Sequence, residues 1–274
     1  MVSNWTAPGV IPGRRPSARW RDRTRLRLRR IRWARNRLGN GGAGLSPWLY
    51  LLLAHLLADF VFQPYELVRL KERPIGLGIH AAIYGFLTAI IAVPLFPRWW
   101  IVVPVLAAVH YGIDAVKGKV GHADGPASFV VFLGDQAAHL GALAAGVALA
   151  GVPVGAEISF GPPAVTAALY YAVPYIATTF AGAIVVYQLA LAYHTRSSPG
   201  DLLSLRLRAA GYAERGLALT AVLFLAPMFW SIAALWYGVR LIASHHRPGR
   251  WVEIGGSLAM VLVLGWFFRQ GVGR

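Results

Sequence analysis

Three histidine–aspartate pairs, each with its partners four residues apart, are set in sequence that otherwise suits a lipid interior. They are His55 and Asp59 in LLLAHLLADF, His110 and Asp114 in AAVHYGIDAVK, and Asp135 and His139 in FLGDQAAHL. On an α-helix this spacing puts both side chains on one face, one turn apart. Imidazole and carboxylate without sulfur are the ligands that hold Zn, Mn or Fe, and an ion so held turns water into a nucleophile near neutral pH. The same groups can instead relay protons, or pair with one another as an internal hydrogen-bond network. Spacing alone leaves all three open, because helical pairs at i,i+4 also simply hydrogen-bond.

What the spacing does establish is a cost. A carboxylate in the middle of a membrane helix costs about 2.5–3.5 kcal/mol on insertion scales, so three of them require compensation. The residues placed to supply it are His80, which opens the next apolar segment, Lys117, one turn beyond Asp114, and the amides Gln63 and Gln136. In the metal reading, Asp59, His110, Asp114, Asp135 and His139 hold the ion. His55 or His80 then serves as acid–base, Lys117 meets an anionic head group, and Gln63 and Gln136 support the carboxylates. A serine hydrolase is poorly supported, since Ser128 is the nearby serine and no GxSxG turn occurs. Phosphate-loop and dinucleotide glycine patterns are absent. The chain has no cysteine, which excludes disulfides, thiolate metal sites and thiol nucleophiles.

The elements that must position these groups follow from composition. Hydrophobic residues make up 57% of the chain and charged residues 14%, against roughly 25% charged in soluble domains. The expected fold is all-α, a polytopic membrane helical bundle. Apolar segments fall at about 46–62, 76–96, 99–117, 126–152, 163–194, 214–243 and 251–268. The first is short against a hydrocarbon core of about 30 Å. If it enters and returns, nearly all basic residues gather on one side, as the positive-inside rule favours. The expectation is therefore six spans plus a re-entrant or short first helix, with Pro64 and Pro74 bracketing the return loop PYELVRLKERP. Both termini and the mouth of the polar site would then be cytoplasmic. Residues 46–152 carry the polar cluster, and residues 163–274 form supporting helices. Gly134, Gly141, Gly146 and Gly151 are expected to permit close helix approach, and Pro174 and Pro227 to kink their spans.

Residues 1–45 hold twelve arginines. They read as a disordered basic arm that touches anionic lipid, since their apolar residues do not gather on one helical face. Nucleic-acid binding is disfavoured, because the arm carries no recognisable fold for it. His122 reads as a solvated loop residue, His194, His245 and His246 as interfacial residues, and Glu214 and Arg215 as charges at a helix start.

The succession LLAHLLADFVFQ, GIHAAIY, HYGIDAVKGK and FLGDQAAHL, over about residues 47–145, resembles the bacterial membrane family known as domain of unknown function 3307. GYAERGLAL and WVEIGGSLAM look like the later part of longer members. The resemblance implies a multi-pass protein of the bacterial inner membrane. It places His55, Asp59, Gln63, His80, His110, Asp114, Lys117, Asp135, Gln136 and His139 at motif positions, and it implies no activity. The chemistry of these residues leads to a membrane-embedded, metal-dependent hydrolase acting on a lipid-like or anionic substrate from the cytoplasmic leaflet. A transporter component coupled to ions or protons is the alternative from another class. A non-catalytic subunit, as a homo-oligomer or within a larger membrane complex, is the third.

Overall fold

A computed structural model describes residues 44–120, 125–153, 155–193, 205–225, 227–243 and 248–270. The arginine-rich arm, except for its last two residues, lies outside the described residues, as do His122, His194, His245 and His246. The elements are α1 (Pro47–Leu56), a π turn at Leu57–Val61, α2 (Tyr65–Leu70), α3 (Pro74–Leu95), α4 (Trp99–Val120) and α5 (Pro126–Leu149). They continue with α6 (Pro163–Ile176), a second π turn at Ala177–Ala181, α7 (Gly182–Tyr193), α8 (Leu205–Phe224), α9 (Pro227–Ala243) and α10 (Pro248–Arg269). The fold is an all-α membrane helical bundle. Pro47, Pro74, Pro126 and Pro163 each sit at a helix start, where the missing N–H costs nothing and the fixed φ is already helical.

Among the described residues, five helical stretches are long and apolar enough to cross a membrane: Pro74–Leu95, Trp99–Val120, Pro126–Leu149, Pro163–Ala192 and Trp251–Arg269. Pro47–Val61 and Trp230–Ala243 are shorter apolar helices. The segment expected as one span over 214–243 is instead two helices. Pro227 has no N–H to give a preceding turn, so it opens α9 rather than bending a longer helix. Pro174 acts differently: its helix continues past it into the second π turn. Of the four glycines expected to admit a neighbour, Gly146 does so most tightly. A Cβ there would come within 2.9 Å of Leu106 Cδ1, whereas Gly134 and Gly141 face open space. Gly151 instead holds φ 73° just beyond α5, the left-handed position that favours glycine after a helix.

The short first helix lies at the centre of the packing. Tyr50, Leu51, Ala54 and Ala58 pack with Tyr84, Ala92, Leu106 and Leu143 from α3, α4 and α5. Leu53 and Leu56 meet Val173, Leu219, Leu223 and Phe268 from α6, α8 and α10. Of the two forms expected, re-entrant or short, it takes the short one. Leu45 exchanges two backbone hydrogen bonds with Ile158, each 2.9 Å, and Tyr50 Oη donates to Ile158 O at 2.7 Å. This fixes the start of α1 at the end of the bundle that holds the α5–α6 connection. Its far end delivers Asp59 to the opposite half, beside the start of α3 and the later turns of α4.

At the other terminus, Tyr170 Oη donates to Phe268 O at 2.7 Å and Arg269 Nη1 donates to Val222 O at 2.8 Å. Leu45 and Arg269 thus share one end, and the polar residues lie toward the other. The absence of cysteine allows a direct check. Cysteines introduced singly at Glu157 and Lys119, both exposed, should react with a membrane-impermeant maleimide from opposite faces of oriented vesicles. Labelling of both from one face would rule out this course of the chain.

Candidate metal centre

Each half of the cluster is set by a local feature. In the first π turn, Phe62 N–H bonds to Leu57 O at 2.8 Å, and the extra residue rotates Asp59 toward α3 and α4. His55 Nδ1 lies 3.7 Å from Asp59 Oδ1. One and a half turns into α3, His80 meets His110 of α4, with Nε2 atoms 2.9 Å apart. Both nitrogens lie 3.4 Å from Asp59 Oδ1 and 3.5 Å from Asp114 Oδ2. On α5, Asp135 Oδ1 lies 3.6 Å from His139 Nδ1. The ring of His139 stacks on that of His55 with centroids 5.0 Å apart.

Four stretches distant in sequence therefore meet in one buried pocket of the bundle. His55, His80, His110, Asp114, Asp135 and His139 are all buried. Their ligand atoms form three overlapping sets, each within 4.8 Å: His55, Asp59 and His110; His80, His110 and Asp114; and Asp114, Asp135 and His139. Bonds of about 2.0–2.1 Å to a tetrahedral ion place neighbouring ligand atoms about 3.3–3.4 Å apart. The 3.4–3.7 Å separations between imidazole nitrogen and carboxylate oxygen are close to this spacing and too long for good hydrogen bonds.

Hydrogen bonding within the protein leaves much of the cluster unsatisfied. His139 Nδ1 bonds the backbone carbonyl of Asp135 at 2.9 Å. A carbonyl only accepts, so Nδ1 carries the proton, and in the neutral ring Nε2 presents a bare lone pair. That Nε2 is buried without a partner. Asp59 Oδ1, Asp135 Oδ1 and the Nδ1 atoms of His55, His80 and His110 are likewise buried without a hydrogen bond. A network built only for mutual hydrogen bonding leaves few such atoms. A donor set awaiting a cation is expected to leave them, and its sulfur-free composition fits Zn, Mn or Fe.

Two lysines border the set. Lys117 Nζ is 2.6 Å from Asp135 Oδ2, which also accepts from Gln136 Nε2 at 3.0 Å. Lys71, from the segment after α2, is 2.8 Å from Asp114 Oδ2. Sequence reasoning missed Lys71, although a signal existed: of 27 basic residues only Lys71, Lys117 and Lys119 are lysine, and two of these three reach the cluster. Tyr84 was missed too. Its ring stacks on His110 at 4.2 Å with 17° between planes, and its position four residues after His80 places it on the same helical face. Gln63 is half-buried after the first π turn and has no hydrogen bond to the cluster. Ser128 is occupied at the start of α5, donating to Gly125 O at 2.8 Å. Glu214 and Arg215 lie in the middle of α8 rather than at its start. Glu214 pairs with Arg240, and buried Arg215 donates to Thr179 O at 3.1 Å.

Residues 48–160 match the family described as "Protein of unknown function (DUF3307)". This stretch, from α1 to the α5–α6 connection, holds every His and Asp of the cluster together with Lys71 and Lys117. No curated protein and no solved structure matches the chain.

Proposed function

We propose that this DUF3307 domain is a metal-dependent hydrolytic centre buried in a membrane bundle, acting on an amphiphile. The head group enters from the end that carries α2 and Lys117, opposite Leu45 and Arg269. The observation that supports this reading is the set of buried imidazole and carboxylate atoms at ligand-to-ligand distances, many lacking any hydrogen bond. Asp59, His110, Asp114, Asp135 and His139 form the donor set. His80 joins it, because its Nε2 lies as close to the two carboxylates as that of His110 does. His55 is then the acid–base, with its Nδ1 beside Asp59 and no other partner. A bound divalent ion would supply a water acidic enough to be a nucleophile at neutral pH. Tyr84 and the aliphatic walls of α1 and α3 exclude bulk solvent from it.

The test begins with elemental analysis of protein purified in detergent without chelator. Zn, Mn or Fe should be present at near-stoichiometric amounts, and its removal should lower the melting temperature, because an ion bound only by the folded state stabilises that state. The loaded protein should then cleave ester-linked amphiphiles presented in mixed micelles. Metal-free protein whose melting is indifferent to all three ions would refute the reading. One observation favours a second: titratable groups succeed one another at 2.8–3.7 Å from Lys71 through Asp114, His80 and His110 to Asp59 and His55, a row that small rotations would turn into a proton path. Metal-free protein that carries a pH-dependent flux in liposomes would select that transport role.

A further inference from the structure

Each carboxylate of the cluster has a different counter-charge. Asp59 lies among three imidazoles, whereas Asp114 and Asp135 are each closed by an ammonium, at 2.8 and 2.6 Å. Those two lysines contact two of the three residues that make up the third ligand set. An ion and the lysines therefore compete for Asp114 and Asp135. With neutral imidazoles, three carboxylates and two ammoniums give the pocket a net charge of −1, and a divalent cation changes this to +1. Its field repels an anion in the first state and attracts one in the second.

We propose that Lys71 and Lys117 hold the place of the metal on Asp114 and Asp135, and that once the metal binds they become the receptor for a phosphate group. This rests on the metal reading of the same site and names the substrate class, a phosphoryl oxyanion. Ammoniums are compact point charges on flexible stems, suited to leaving a carboxylate for phosphate oxygens one side-chain swing away. The side chain of Lys117 is 41% exposed and that of Lys71 15%, so Lys117 is the freer of the two to turn toward a phosphate group. Metal and phosphate must then strengthen each other's binding by one and the same factor, because such coupling is reciprocal.

The experiment titrates Mn²⁺ into metal-free, full-length protein and reads the bound ion by electron paramagnetic resonance. One arm is in detergent with or without inorganic phosphate. The other is in nanodiscs of phosphatidylcholine with or without phosphatidic acid. Phosphate or phosphatidic acid should tighten Mn²⁺ about 5-fold or more, the lower edge of ordinary coupling energies. An effect in detergent means that a soluble oxyanion suffices, and an effect confined to phosphatidic acid means that the group is a lipid head group. Lys117→Met, at a partly exposed position that should tolerate it, should bind Mn²⁺ more tightly than wild type without phosphate and lose most of the enhancement. Lys117→Arg should retain part of it. Tight Mn²⁺ binding that is indifferent to phosphate in both arms would overturn the proposal and leave the metal centre standing. Failure of wild type to bind Mn²⁺, Zn²⁺ or Fe²⁺ at all would remove both.

Discussion

Replacing His110 with glutamine should abolish metal binding while leaving a folded protein. His110 belongs to two of the three ligand sets, as Asp114 does, and its Nε2 lies within 3.5 Å of His80, Asp59 and Asp114 at once. Without it His55 and Asp59 keep two donors, and so do His80 and Asp114. Removing a partner of a ligand typically costs roughly 10–100-fold in affinity, and removing a ligand common to two sets should cost more. Glutamine keeps most of the volume beneath the ring of Tyr84. Alanine would leave a cavity there and lower stability by roughly 2–5 kcal/mol on that account alone. The measurement is melting temperature against metal concentration. Wild type should gain about 2.7 kcal/mol at a hundred times its dissociation constant, and His110→Gln nothing over the same range. His139→Gln, which touches only the third set, should shift the curve less. Equal curves for wild type and His110→Gln would mean that the ion, if one binds, sits elsewhere.

Much of this site was legible in the sequence, because four-residue spacing is a local property of helices and survives whatever the bundle does around it. His110 with Asp114, and Asp135 with His139, lie on single α-helices as expected. For His55 and Asp59 the spacing gave the right pair for an incomplete reason: Asp59 sits in a π turn, and the turn's extra residue aims it at α3 and α4. The course of α1 was not legible. Counting basic residues favoured a helix that returns, but Leu45 and Tyr50 tie its start to Ile158, a contact across more than a hundred residues that no local pattern announces. The break at Pro227 was visible as a proline, yet the same residue type at Pro174 yields a continuous helix. Which outcome prevails depends on whether neighbours can satisfy the freed backbone groups. Lys71 was hidden for a similar reason, since its partner Asp114 lies on another helix.

Lys71→Met should in turn produce a large loss of stability in metal-free protein, about 3–5 kcal/mol, the usual cost of removing one partner of a buried ion pair. The expectation turns on how little solvent reaches the pair. The Asp114 side chain is 3% exposed and that of Lys71 15%, whereas the Lys117 side chain facing Asp135 is 41% exposed. Water can replace the Lys117 ammonium but not that of Lys71. Methionine preserves most of the aliphatic stem, so the loss reports the charge rather than the packing. Two controls separate the causes, both read by unfolding in mixed micelles. Lys71→Met with Asp114→Asn leaves no uncompensated charge and should recover most of the stability. Saturating Mn²⁺ should rescue the single variant more than it stabilises wild type, since a cation on Asp114 supplies what the lysine did. A double variant as unstable as the single one would assign the loss to the stem of Lys71. A rescue by metal no greater than in wild type would mean that Asp114 is no ligand and would remove it from the donor set.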